Sequence, residues 1–194
     1  QARAARLRDG APLRLVFVGP LEQASGAFDL LQVAYLLKLR GVDFRLELFG
    51  EGALDGRLRD GIAALGLGAQ MSLAASPGFD VELVPHLRRE ADLLLAPRRQ
   101  ADPASLYAEA MGCGVPVLGY ANTMWRSLQA ESGGGWVSRP GCASALVRAL
   151  VRLDGNRQAI IRASANALEY ARGHTFEHVF ANRMTHLRGI AGLE

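Results

Sequence analysis

Short apolar runs, too continuous to be strands with one wet face, punctuate this chain, and a segment of helical period follows almost every one. Leu13-Arg-Leu-Val-Phe-Val-Gly19 and Asp92–Ala96 are the plainest. Strands this uninterrupted must be covered on both faces, the condition met in parallel sheets. Phe44–Phe49, Met71–Ala74, Val115–Tyr120 and the short Trp136-Val137-Ser138 supply the remaining strand signals. Helical stripes are expected over about 27–40, 54–65, 79–91 and 124–132, with Pro85 marking a kink or a late start. Three further helices, about 142–153, 157–172 and 176–189, close the chain. The alternation predicts one α/β domain, a Rossmann-like doubly wound parallel sheet of about six strands with extra C-terminal helices. With 194 residues, 49% of them hydrophobic, the chain can bury a substantial core. Such sheets bind ligands beyond the carboxyl ends of their strands. The loops at 19–26 and 97–105, each directly after a strand, are therefore expected on one rim.

The second of these loops opens the most informative segment. Asp102 suits a helix N-cap and Pro103 the first helical position. The amides of Ala104, Ser105 and Leu106 would then point out of the helix end, where the dipole favours an anion. Glu109 follows about two turns along, and Gly112-Cys113-Gly114 stops the helix before Val115. Amides suit a diphosphate, and a carboxylate suits ribose hydroxyls. On local physics alone, an ordinary strand–loop–helix–strand unit with a surface Glu fits equally well.

The order of residues says more. Glu109-Ala-Met-Gly-Cys-Gly-Val-Pro-Val117 resembles the donor-site signature of the retaining GT-B glycosyltransferases of group 1, family 4, and the resemblance extends from about Leu13 to Arg188. It implies a donor-binding C-terminal half of a two-domain enzyme that transfers a sugar, with retention, from a nucleotide diphosphate sugar. The partner would be an N-terminal acceptor domain of the same protein. Glu109 would hold the ribose, and the amides of Ser105 and Leu106 the diphosphate. No metal or other cofactor is implied. The sequence also departs from the family pattern. The first motif Glu falls on Ala101, beside Asp102. In the loop after the first strand, Gly19 is kept, but Pro20 replaces the usual Arg and Ser25 the usual Lys. The usual Gly-Gly pair after the fifth strand falls at about Thr123-Met124, before Trp125 and Arg126. Arg98 and Arg99, just ahead of the motif, are the nearest substitutes for the lost cations, since bidentate guanidinium suits phosphate.

Other readings fare less well. Gly19-Pro20 lacks the Gly-x-Gly-x-x-Gly spacing of a dinucleotide loop, and no paired acid–base carboxylates of an epimerase stand out. A degenerate domain that only binds a nucleotide sugar, or serves as a scaffold, is the alternative the departures favour. The formal charge is +3, carried almost wholly by scattered arginines, with Lys38 the only lysine and aromatics at 7%. That excludes the clustered basic and aromatic footprint of a nucleic-acid binder. Glu51 could face a nucleotide ribose but reads better as a solvated loop carboxylate, and Trp125 and Trp136 could stack on a base, although packing in the core or at the rim is the commoner use of Trp. His174, His178 and His186 lack the companion ligands of a metal site. Cys113 and Cys142 form no disulfide framework, so a reducing cytoplasmic setting is expected. No run approaches the ~20 apolar residues of a membrane span. Peripheral membrane association is expected only through the acceptor domain. The start at Gln1 and the terminal Leu193-Glu194, which reads as a tag scar, suggest an excised domain.

Overall fold

The computed structural model describes residues 2–75, 78, 82–100 and 105–174. Its elements run α1 (Ala2–Arg8), β1 (Leu13–Val18), α2 (Asp29–Leu39), β2 (Phe44–Phe49), α3 (Asp55–Ala64), β3 (Met71–Ala74), α4 (Val84–Glu90) and β4 (Leu93–Ala96). They continue with α5 (Ser105–Gly112), β5 (Val117–Tyr120), α6 (Thr123–Ser132), β6 (Gly135–Ser138), α7 (Ala143–Asp154) and α8 (Arg157–Gly173). The strands form one sheet in the order β3-β2-β1-β4-β5-β6, with every neighbouring pair parallel. This is the doubly wound order, and the winding reverses between β1 and β4.

The strand residues divide by parity into two cores. Leu13, Leu15 and Phe17 of β1, with Leu93 and Leu95 of β4, pack beneath α2 and α7. Val16, Leu94 and Ala96 face the opposite way, towards Leu87 of α4, Tyr107 and Met111 of α5 and Trp125 of α6. Successive side chains of a strand point to opposite faces, so unbroken apolar runs are what a sheet covered on both sides requires. Burial of Trp125 at the centre of the second core accords with its packing role.

Several elements differ from expectation. Helix α2 begins at Asp29 rather than near residue 27, because residues 23–28 form turns braced by a buried serine. Helix α4 begins at Val84 with Pro85 in its first turn, directly after a π turn at 82–83, so the proline stands where the wider winding gives way to α-helix. Helix α1 was not foreseen. The expected helix over 176–189, with His178 and His186, and the stretch 101–104 lie outside the described residues.

Helix α1 is held less by apolar packing than by its arginines, for Leu7 is its one buried residue. Arg3 donates to the carbonyls of Gly114, Leu87 (2.9 Å), Arg88 (3.1 Å) and Cys113, and to Ser164 Oγ at 3.2 Å. Arg6 donates to the carbonyls of Arg89 and Glu90 and to Asp92 Oδ1 at 2.8 Å. Asp92, only 1% exposed, also accepts from the amide of Arg14. Burial pushes its carboxyl above the ordinary range despite the Arg14 amide, Arg6 and Arg3, which pull the other way. This clamp closes the amino ends of β1, β4 and β5, the edge of the sheet opposite to the rim.

Candidate functional site

The rim is built where the winding reverses. Gly19 leaves β1 at a φ of +147°, a conformation that side chains disfavour. A Cβ there would stand 2.6 Å from Nη2 of Arg98, so the guanidinium of Arg98 lies directly over the backbone of Gly19. Gly26, at φ +73°, closes the same loop, and a Cβ there would fall 2.0 Å from the carbonyl oxygen of Pro97. The amide of Arg99 donates to the carbonyl of Ala24 at 3.3 Å. The loops after β1 and β4 are thus interlocked, and the expectation of a shared rim is met.

Within the first loop, Ser25 is 4% exposed. Its hydroxyl donates to the carbonyl of Glu22 at 2.8 Å and accepts from the amides of Glu22 and Ala27. The position where the family pattern carries a lysine is therefore a buried brace that sets the loop's shape. Pro20 is exposed, and its carbonyl accepts from the amide of Glu22. Glu51 is exposed, as expected of a solvated loop carboxylate, and its carbonyl accepts from the amide of Leu21.

The two adjacent arginines have different surroundings. Arg98 is half-buried, and desolvation lowers its pKa from the ordinary value, with Tyr107 acting in the opposite sense. A guanidinium remains charged under such conditions. Arg99 is more exposed and reaches both oxygens of Asp29, at 2.9 and 3.0 Å. Asp29 also accepts from the hydroxyl of Tyr120 at 2.9 Å, and burial, helped by this bond, pushes that phenol well above its usual range. Arg99 and Arg126 flank a cleft of about 510 Å³ that Ala121, Asn122 and Thr123 complete.

Helix α5 is fixed from beneath. Tyr107 is buried and stacks on Trp125, with ring centroids 5.1 Å apart. Its hydroxyl accepts from Asn122 Nδ2 at 3.1 Å, while Asn122 Oδ1 caps α6 by accepting from the amide of Trp125 at 2.7 Å. Trp125 Nε1 donates to the carbonyl of Trp136 at 3.1 Å. On this support Ser105 is exposed, Leu106 is half-buried and Glu109 is partly buried. Burial raises the Glu109 carboxyl above its ordinary value, and no hydrogen bond or ion pair from a described residue offsets it. Asp102 and Ala104 lie outside the described residues.

Sequence reading overlooked Asp29, Tyr120 and Asn122. Asn122 carried a legible signal, an Asn directly before a helical stripe. The Asp29–Tyr120 contact joins residues 91 apart in the chain and left none. Among the described residues no three His, Cys, Asp or Glu side chains gather to hold a metal ion. His174 stacks on Tyr170, and its Nδ1 meets the Tyr170 carbonyl at 2.8 Å at the end of α8.

Fold and rim together define a Rossmann-like domain with arginines at its switch point, the architecture of one half of a GT-B glycosyltransferase. The profile of the family described as Glycosyl transferases group 1 matches residues 1–171, and the chain belongs to that family. The amylovoran biosynthesis glycosyltransferase AmsK of Erwinia amylovora is 29% identical over 158 residues. That match takes in 77% of this chain but 38% of AmsK, so the chain spans well under half the length of that relative. Among solved structures, Anabaena Alr3699/HepE in complex with UDP superposes with a TM-score of 0.77 at 18% identity, covering 97% of this chain and 52% of that one. The C-terminal domain of the group 1 family protein LpcC from Francisella tularensis superposes with a TM-score of 0.72 at 16% identity, covering 86% and 89%.

Proposed function

We propose that this chain is the donor-binding half of a retaining, family 4 glycosyltransferase and takes a nucleotide diphosphate sugar at the rim. One observation carries the reading: the two loops at the switch point interlock and hold Arg98 over the backbone of Gly19, within electrostatic reach of Tyr107 on α5. The amides of Ser105 and Leu106 face the diphosphate, and Arg98 supplies the charge that Pro20 and Ser25 do not. Glu109 accepts the ribose hydroxyls. Its raised pKa fits a carboxylate awaiting donors, because a hydrogen-bonding ligand favours the ionised form. Neutralisation of the leaving diphosphate falls to guanidinium and amide groups rather than to a metal. UDP in the Alr3699/HepE structure supports a nucleoside diphosphate as the common element.

The acceptor, and the groups that position it, belong to a second, N-terminal domain. Because positioning two substrates is a large part of such catalysis, the chain by itself should bind donor and transfer no sugar. A second reading, a degenerate domain that binds without turning over, draws on the Ser25 brace and on the engagement of Arg99 by Asp29.

Calorimetric titration with UDP, GDP and their sugar conjugates tests the first reading. Micromolar to millimolar binding to the wild type, weakened at least tenfold in Glu109→Ala, is expected from the loss of one charge-assisted hydrogen bond of ~1.5–3 kcal/mol. Equal affinity of the two proteins would remove Glu109 from the site. Donor binding without turnover in the two-domain protein would favour the second reading.

A further inference from the structure

Arginine is plentiful in this chain, and what sets Arg99 and Arg126 apart is their place. The cleft of about 510 Å³ between them opens off the loop after β5, the strand next to β4 and two from β1. Ala121, Asn122 and Thr123 make the rest of its wall. Asn122 donates through Nδ2 to the hydroxyl of Tyr107 at 3.1 Å, and Tyr107 of α5 is also within electrostatic reach of Arg98. One buried tyrosine thus stands between the cleft and the guanidinium assigned to the diphosphate, and a group joined to that diphosphate can enter the cleft. The nucleoside is the wrong group, for Glu109 does not line the cleft and no aromatic ring is there for a base to stack on. That leaves the sugar.

The charge in the cleft says which sugar. Nη2 of Arg99 donates to both oxygens of Asp29, at 2.9 and 3.0 Å, which fixes the guanidinium and leaves the donors of Nη1 and Nε without a described partner. Arg126 is exposed and is in no ion pair with a described residue, and no described carboxylate lines the cleft. Asp29 answers one of the two guanidiniums, so one positive charge is left over. A neutral sugar leaves that charge unused, and a phosphate monoester brings ~1.5–2 negative charges to meet it. A carboxylate brings one and suits the paired donors of a guanidinium. We propose that the cleft between Arg99 and Arg126 holds a carboxylate of the transferred sugar, so that the donor is the nucleotide diphosphate derivative of a sugar acid. The inference rests on the donor-site reading above and divides two adjacent residues by role: Arg98 faces the diphosphate and Arg99 the carboxylate.

UDP-glucose and UDP-glucuronate differ only at C6, and calorimetry of the 194-residue chain with both, and with UDP alone as the reference, tests this. The GDP, GDP-mannose and GDP-mannuronate set replaces them if GDP is the nucleotide bound. At low salt the glucuronate should bind about tenfold tighter than the glucose, as one added charge-assisted bond predicts. Arg99→Gln and Arg126→Gln, made separately, should each erase most of that preference and leave the affinity for UDP unchanged. Arg152→Gln removes the same charge from an exposed site on α7 and should keep the preference. Unfolding midpoints show whether each variant still folds. Equal binding of the two sugar conjugates, with UDP bound, would overturn the proposal and leave the donor-site reading standing, whereas binding of neither nucleotide would overturn both. A preference that survives both cleft variants, or falls equally in Arg152→Gln, would move the carboxylate out of the cleft and overturn the proposal too. So would shifts of the cleft resonances by free glucuronate in the UDP complex with no preference between the conjugates, which would mark the carboxylate of an acceptor.

Discussion

The two ends of the sheet use the same residue type to opposite purposes. At the amino end, Arg3 and Arg6 spend their donors on the carbonyls of Leu87, Arg88, Arg89 and Glu90 and on buried Asp92. At the carboxyl end, Arg98 lies across a glycine, and Arg99 and Arg126 flank an open cleft. The first set substitutes for apolar packing, since α1 buries one leucine. The second is placed by backbone features, two positive-φ glycines and the Ser25 brace, that contribute little packing of their own. Arginine content therefore says nothing about function until the acceptors around each guanidinium are known.

If the comparison is right, changes at the amino end alter stability without altering nucleotide affinity, and rim changes do the reverse unless they strike the backbone. Gly26→Ala should have the largest effect. It forces a side chain into a left-handed position and against the carbonyl of Pro97, so urea titration should show a loss of ~3 kcal/mol or more together with loss of UDP binding. A loss under 1 kcal/mol would mean that the loops are not interlocked. Asp92→Ala should cost ~2–3 kcal/mol, because it strands the amide of Arg14 and a guanidinium that it neutralises. UDP affinity should be unchanged, and a concurrent drop in affinity would blur the division between the two ends.

Arg98→Gln comes next, with donor affinity reduced about tenfold at low salt and unfolding free energy changed by less than ~1 kcal/mol. Unchanged affinity would transfer the charge role to Arg99 or Arg126. The smallest effect concerns Glu109. Its carboxyl is raised in the folded state by burial, so its contribution to stability is fully present below the unfolded pKa and is lost as pH rises through the folded one. Glu109→Gln should therefore flatten the pH dependence of the urea midpoint above the ordinary Glu range, with a slight gain in the midpoint at neutral pH. A steeper dependence in the variant would reverse the sign of the argument.

Which parts of this were legible in the sequence follows from how local their causes are. Strands β1, β2 and β4 declared themselves because burial on two faces demands unbroken or alternating apolar runs, and Pro85 marked a discontinuity in its helix, which the structure places at the junction of a π turn and α4. The shared rim was legible too, since loops directly after parallel strands must lie at one end of the sheet. Helix α1 was not, because it has no apolar stripe and its stabilisation comes from carbonyls 83 or more positions away. The role of Ser25 was hidden for a related reason. Its identity suggested only a missing lysine, whereas its function is a set of short-range hydrogen bonds that exist only once the loop has closed. Asp29 and Tyr120 meet across the sheet, and neither residue's neighbours announce the other.

The Arg3 clamp also bears on the order in which the molecule can assemble. Arg3 leaves the ribosome near the start of this segment, yet its contact with Ser164 joins residues 161 positions apart. At about 5–20 residues per second, roughly ten to thirty seconds separate the synthesis of the two. The carbonyls of Leu87 and Arg88 and the carboxylate of Asp92 can engage Arg3 and Arg6 earlier in that interval, while the contact with α8 comes last. The last of the described helices thus completes the seat of the first, so a chain stopped before α8 should keep its strands and hold its beginning by the α4 carbonyls and Asp92 alone.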